Sequence, residues 1–229
     1  LNINKYIQEN KNQLSNLQIS ASDAIALSYD LQAGSYTKLF YKNYEIQSKF
    51  INYLINKLEK LNVLNNLIKN SKELTICDFG TGEATNYSLI INSLYEKGIN
   101  SRPFGMDISL SRLSIAKHLL SIELKNKKTE LFLGDLTSIP LADNSLDLSF
   151  TVHAIEPNGG KEKIILDELV RVTRNYIILA EPIYETANKE QAQRMNEFNY
   201  IKTLKTELYN HKSLEIIHDS LVPIEYNYA

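Results

Sequence analysis

Cysteine is almost missing from this chain of 229 residues: Cys77 stands alone, so no internal disulfide can form. Its place in the apolar run Leu74-Thr75-Ile76-Cys77 keeps a thiol protonated and inert, which argues against a nucleophile and points to a cytosolic protein. The four histidines, His118, His153, His211 and His218, show no metal-ligand spacing, so no metal site is expected. Basic residues are in no surplus: 25 Lys and Arg face 27 Asp and Glu, for a net charge of −2 and a pI near 6.1. A nucleic-acid clamp would gather a basic excess on one face. No run of 18 apolar residues occurs, so no helical membrane span is expected. The opening Leu1-Asn2-Ile3-Asn4-Lys5 lacks both the layout of a secretory signal and an initiator Met, and reads as a trimming boundary. Repeats and long low-complexity tracts are absent too.

What is present suffices for one α/β domain with a full core and some extra helices. Residues 3–70 read as helices. Phe50, Ile51, Tyr53, Leu54, Leu58 and Leu61 recur at spacings of three and four, a stripe that must lie on a core. Gly34, within Ser28–Tyr36, is expected to break a helix. From Leu74 the pattern alternates. Strands are expected at Leu74–Asp78, Pro103–Asp107, Glu130–Gly134, Leu146–Val152 and Tyr176–Ala180, with helices beginning near Glu83, Ser109 and Lys161. Such alternation predicts a Rossmann-like, mainly parallel sheet with helices on both faces and right-handed crossovers. A helix-rich stretch follows Pro182 to about Lys212, and Leu214–Val222 reads as a further strand. We expect residues 1–70 to form a helical cap or lid and 71–229 the core. An edge strand is expected to be lacking at the C-terminal end, the natural chain continuing past Ala229.

Ligands in such sheets bind past the carboxyl ends of the strands, and the distinctive residues fall there. The first strand ends at Asp78, and Gly80 and Gly82 follow at alternate positions, where a backbone without Cβ lets a ligand approach. Gly80-x-Gly82-x-x-Thr85 fits a dinucleotide fingerprint poorly: β-branched Thr85 takes the third small-residue place, and Asp78 would crowd a phosphate. A cationic or zwitterionic ligand would welcome that acid. Asp107 ends the second strand and can accept both hydroxyls of a ribose, or share the capping of a helix near Ser109. Asp135, in Gly134-Asp135-Leu136, can accept from an exocyclic amine, though alone it reads as a turn residue. Three acids at three successive strand ends are a more specific signal than any one of them.

Asp78-Phe79-Gly80-Thr81-Gly82, Asp107-Ile108 and Gly134-Asp135-Leu136, followed by Ile139-Pro140-Leu141-Ala142-Asp143-Asn144-Ser145-Leu146-Asp147-Leu148, resemble the class I S-adenosylmethionine-dependent methyltransferases, in particular the subgroup acting on small molecules. The likeness covers about residues 70–182. One departure is Ala84, where the family often has a third glycine. The resemblance implies S-adenosyl-L-methionine as cofactor and S-adenosyl-L-homocysteine as product. It implies that Asp78 and the Gly80, Thr81 and Gly82 backbone hold the methionine part. Asp107 would bind the ribose with Ile108 against adenine, Asp135 and Leu136 would take the adenine edge and face, and Thr151 would meet the methionine end through its backbone.

On the acceptor side, Thr151-Val152-His153-Ala154-Ile155-Glu156-Pro157 offers His153, which titrates in the useful range, and Glu156 three residues on. Their bland alternatives are a loop hydrogen bond and a solvent-facing acid. Tyr29, Gln32 and Tyr36 have the size and polarity to cover a sulfonium from a lid, or else they pack the cap. Tyr184 borders the expected acceptor pocket, and the helix carrying Arg194 and Met195 reads as a solvated face. The expected function is methyl transfer to a small acceptor, the hydroxyl or amine of a sugar or other metabolite. Two rivals remain open. One is an NAD(P)-dependent oxidoreductase or epimerase, disfavoured by Thr85 and by the want of a Tyr-x-x-x-Lys pair in 161–174. The other is a non-catalytic cofactor-binding partner protein.

Overall fold

The computed structural model describes residues 20–125 and 128–224. Four helices come first: α1 (Ala21–Asp30), α2 (Ser35–Lys42), α3 (Tyr44–Lys60) and α4 (Val63–Asn70). Then follow β1 (Leu74–Phe79), α5 (Thr85–Glu96), β2 (Ser101–Asp107), α6 (Leu110–Glu123), β3 (Glu130–Leu133), β4 (Leu146–Val152), α7 (Glu162–Val172) and β5 (Thr173–Ala180). A 3₁₀ turn (Tyr184–Thr186), α8 (Lys189–Glu197) and α9 (Leu204–Asn210) complete the described elements. The five strands form one sheet in the order β3-β2-β1-β4-β5, all neighbours parallel. The order reverses between β1 and β4, so the crevice for a ligand opens at their carboxyl ends.

Local sequence accounts for most of this. β4 is buried along its whole length, the near-continuous apolar burial of a parallel strand covered on both faces. Side chains of β1 alternate between two cores. Leu74 and Ile76 join Leu148 and Phe150 beneath α3, α4, α5 and α6, while Cys77 and Phe79 join Met106 beneath α7, α8 and α9. Burying each large apolar side chain stabilises the fold by about 1.5–3 kcal/mol. The expected stripe of α3 is there, with Phe50, Ile51, Ile55 and Leu58 buried. Gly34 ends the α1 segment at φ 92 and precedes α2, a left-handed conformation that suits glycine.

Two expectations need correction. Residues 214–222 form no strand: Asp219 pairs with Lys205 Nζ at 2.6 Å and accepts from Tyr209 at 3.0 Å, tying the segment to α9 rather than to a ladder. Nor does α8 present a wholly solvated face, because Met195 is only 4% exposed and packs into the second core while Arg194 remains outside. Residues 1–19, within the proposed cap, lie outside the described residues. Among the described residues no helix is long and apolar enough to cross a membrane.

Candidate active site

The glycine turn after β1 is docked on the end of β2, where the amides of Gly80 and Thr81 donate to the Met106 carbonyl at 2.8 and 2.9 Å. Asp107, last in β2, accepts from Gly82 N through one oxygen (2.7 Å) and from Ser109 N through the other (2.8 Å). It therefore ties the turn to the next helix, while Ser109 Oγ caps α6 by accepting from Arg112 N at 3.1 Å. Gly80, Gly82 and Ala84 all have positive φ (75, 58 and 63), so the left-handed conformation recurs at every second residue of the turn, including Ala84. At Gly82 a Cβ would overlap the Arg112 guanidinium, and at Gly80 it would overlap Ala154.

The loops after β1, β2, β3 and β4 and the lid residues surround one cavity. Tyr29, Gln32, Tyr36, Gly80, Thr81, Asp107, Ile108, Asp135, Leu136, His153 and Glu156 line it. It measures about 2410 Å³. A small-molecule site spans about 300–1,000 Å³. This one is larger because it continues past Tyr176 and Ile178 of β5 and along 213–222. Three expected residues stand apart from the wall. Asp78 is buried at the end of β1, Gly82 lies in the turn beneath Arg112, and Thr151 is wholly buried in β4, between Phe79 and Leu179. Gln32 turns back on its own helix, donating to the Ser28 carbonyl at 3.1 Å. Asp135 Oδ1 is engaged locally by the Thr137 amide and hydroxyl, both at 2.8 Å. Burial opposes ionisation of Asp135, but hydrogen bonds from Ser22 and Thr137, with Lys161 nearby, hold its carboxyl below the usual range.

Two carboxyls behave oppositely. Burial, helped by the charges of Asp107 and Glu181, pushes Asp78 up to about 7 against the pull of the Thr81 hydroxyl. Glu181, just past β5, is likewise raised to about 7 by burial, although His153 and the Ala154 amide draw it down. Its oxygens accept from Ala154 N (3.0 Å) and Ile155 N (3.2 Å), which fixes the loop carrying His153. That histidine has φ 52, unusual for a side-chain-bearing residue and a conformation that surrounding contacts must enforce. Its Nδ1 lies 3.3 Å from Glu156 Oε1. Burial alone would lower its pKa, yet the Glu156 bond and the charges of Glu156 and Glu181 raise it. Tyr29, Tyr36 and Tyr200 have their hydroxyls pushed up chiefly by burial.

Four contributors were not foreseen as site residues. Glu83 accepts from Gly34 N (2.9 Å), Thr37 N (2.6 Å) and the Thr37 hydroxyl, so the α1–α2 segment is latched onto the glycine turn. Asp30, at the end of α1, accepts from Ser109 Oγ (2.6 Å) and Ser111 N (3.0 Å), a second latch. Glu181 supports the His153 loop, and Arg112 lies between Tyr29 and Tyr36. The latches span 46–81 residues in sequence, beyond any local pattern. Arg112 did leave one signal: a cation in the first turn of a helix opposes the macrodipole.

Residues 77–178 match the family described as a methyltransferase domain. This match likens that stretch, which holds the glycine turn and the strand-end acids, to methyltransferase domains; in the class I group that the sequence resembles, the cofactor is S-adenosyl-L-methionine. Ajmaline N-methyltransferase of Rauvolfia serpentina is 29% identical over 103 residues, which are 44% of this chain and 35% of that protein. The chain thus spans about a third of the length of the curated relative it matches. Among solved structures, one from Galdieria sulphuraria described as a candidate sarcosine dimethylglycine methyltransferase has a TM-score of 0.50 at 16% identity, covering 64% of this chain and 52% of that one. A SAM dependent methyltransferase from Aquifex aeolicus has a TM-score of 0.42 at 23% identity, covering 51% and 60%.

The residues present fit that cofactor. Buried acids at the ends of β1, β2 and β5, two of them raised to about 7 chiefly by burial, form a cradle that a sulfonium and an ammonium would neutralise.

Proposed function

We propose that this protein methylates a small-molecule acceptor, on a hydroxyl or amine, by in-line displacement within the cavity between the lid and the strand ends. The uncompensated Asp78–Glu181 pair beside the glycine turn carries this reading, because it suits a cation and would repel a pyrophosphate. Asp107 is assigned to the ribose, with Ile108 and Leu136 against the base and Asp135 at its edge. Asp78 and the backbone of Gly80, Thr81 and Gly82 are assigned to the methionine end. Tyr29 and Tyr36 close the cavity from residues 1–70, read here as the lid on a core of 71–229.

When bound, the cofactor supplies an activated methyl group with a good leaving group. The protein then needs only to align the acceptor and exclude water, and alignment is worth about 7–11 kcal/mol. His153 is assigned to the proton transfer that a hydroxyl or protonated amine acceptor would require. In this reading the imidazole, whose Nδ1 lies 3.3 Å from Glu156 Oε1, would take the proton of an acceptor hydroxyl or ammonium, and Glu156 would stabilise the imidazolium that forms. Its raised pKa places the proton-free imidazole on the alkaline side, so turnover should climb as pH rises through that value.

Calorimetric titration with S-adenosyl-L-homocysteine and NADH, followed by a methyl-acceptor screen read by mass spectrometry, tests the assignment. Tight binding of the first nucleoside only, with methylated product, is expected; binding of NADH instead would reverse it. His153→Ala should cut turnover about 10²–10⁴-fold while leaving nucleoside affinity within a few-fold. Unchanged turnover would remove His153 from the mechanism.

A further inference from the structure

Of the five described arginines, Arg102 pairs with Glu130, Arg171 with Asp143 and Glu168, and Arg174 with Asp147. Arg194, exposed on α8, and Arg112 both line the cavity, and only Arg112 stands over the glycine turn. No ion pair of Arg112 is found among the described residues, although Glu83 and Asp107 flank the glycine turn it covers. Its guanidinium carbon sits 4.9 Å from the Tyr29 ring centroid and 4.4 Å from that of Tyr36. Its Nη2 lies over the Cα of Gly82, and its Nε is buried with no hydrogen-bond partner. The nearby acids are engaged elsewhere: Glu83 is filled by the lid amides, and Asp107 by Gly82 N and Ser109 N.

A buried guanidinium donor left unmade is costly, whereas stacking between two aromatic faces holds the plane still and leaves its donor edge for an in-plane acceptor. We propose that Arg112 is the anchor for the α-carboxylate of the cofactor's methionine end. The inference rests on the assignment of this site to S-adenosyl-L-methionine and adds a residue to it. Charge balance supports it. Asp78 and Glu181 welcome the ammonium and sulfonium but would repel the adjoining carboxylate, so a cation must stand over the glycine turn. Arg112 stands there, and Gly82 lacks the Cβ that would push it away. A bidentate pair with the carboxylate would also link the tyrosines of the lid to the ligand, since both rings pack on the same guanidinium.

The test compares two neutral-sulfur nucleosides by calorimetry: S-adenosyl-L-homocysteine and its decarboxylated analogue S-adenosyl-3-thiopropylamine, which keeps the amine. Wild type should bind the first about 10- to 100-fold more tightly, the range expected for a charge-assisted hydrogen-bonded pair. Arg112→Ala should erase that preference by weakening the first and leaving the second within about threefold, and Arg112→Lys should restore part of it as a point charge. Equal weakening of both ligands would show that Arg112 only packs the lid and would overturn the anchor. Equal affinity of wild type for the two would overturn it without any variant. Failure of wild type to bind either nucleoside would instead sink the cofactor assignment itself.

Discussion

The two ends of the sheet treat buried charge in opposite ways. At the amino end of β4, Asp147 is almost fully buried, yet it accepts from Thr75 N (2.9 Å), the Thr75 hydroxyl (3.0 Å), Arg174 Nη1 (2.7 Å) and Asn175 Nδ2 (3.3 Å). Close by, Arg171 is shared among Glu168, Asp143 and the carbonyls of Ile139 and Leu141. Every strong charge there has its partner. At the carboxyl end, Asp78 and Glu181 are buried with too little counter-charge and Arg112 has none among the described residues. A complete network serves the fold; an incomplete one marks where a ligand's own charges are needed.

The sharpest way to break this contrast is to remove the acid that serves both purposes. Asp107→Ala should weaken S-adenosyl-L-homocysteine by about 100-fold or more, since two charge-assisted bonds to ribose hydroxyls are lost. It should also cost about 1–3 kcal/mol of stability by orphaning the buried Gly82 amide. Retained affinity in a titration calorimeter would contradict the ribose assignment.

Next in size is a pH effect that should distinguish a sulfonium from a thioether. Asp78 and Glu181 are raised to about 7, and a cationic ligand binds their ionised forms. S-adenosyl-L-methionine should therefore bind about tenfold more weakly at pH 5.5 than at pH 8, one pKa unit being a tenfold effect. Protons should be released on binding near pH 6–7, visible as buffer-dependent heats. The thioether product, without that charge, should respond less, and identical pH profiles would argue against the charge-matching account.

A smaller effect sharpens the comparison directly. Without ligand, the raised carboxyls stay protonated in the folded state while they ionise in the unfolded one. Folding stability should therefore fall as pH rises from about 4 to 7 on their account, the unfolded chain binding fewer protons there. Asp78→Asn should then raise the ligand-free Tm at pH 8 by roughly 3–8 °C while weakening the cofactor. Asp147→Asn should do the reverse, lowering Tm by roughly 3–8 °C with nucleoside affinity unchanged. Scanning calorimetry with and without ligand decides both, and a like response at the two positions would erase the distinction. Smallest of all, Cys77 should resist thiol reagents until the chain unfolds, since the thiol is fully buried and its pKa is pushed well up by that burial.

How much of this was legible without coordinates follows the range of each interaction. β4 was expected at Leu146–Val152 and is found there, because a strand buried on both faces is a plain apolar run. β5 begins three residues earlier than expected, at Thr173, since its polar start, Thr173-Arg174-Asn175, hides a strand that pairs with the foot of β4. The segment 214–222 has strand-like composition but no ladder partner, and composition cannot reveal that. The acids at the ends of β1, β2 and β3 were readable because turn chemistry and strand ends are local. Their differing states were not: Asp135 is drawn down by its neighbours and Asp78 pushed up by burial. Glu83 looked like the start of a helix, and only the folded chain shows it holding Gly34 and Thr37, which lie 46–49 residues away.

The sequence by itself determined the alternation of strands and helices, the glycine turn and the row of acids, since each follows from periodicity or backbone freedom within a few residues. Only the tertiary structure decided which charges are neutralised, because screening, burial and pairing depend on residues brought together from distant parts of the chain. Arg112 shows both: its place in the first turn of α6 is local, but its confinement between Tyr29 and Tyr36 exists only once α1 and α2 pack against the strand ends.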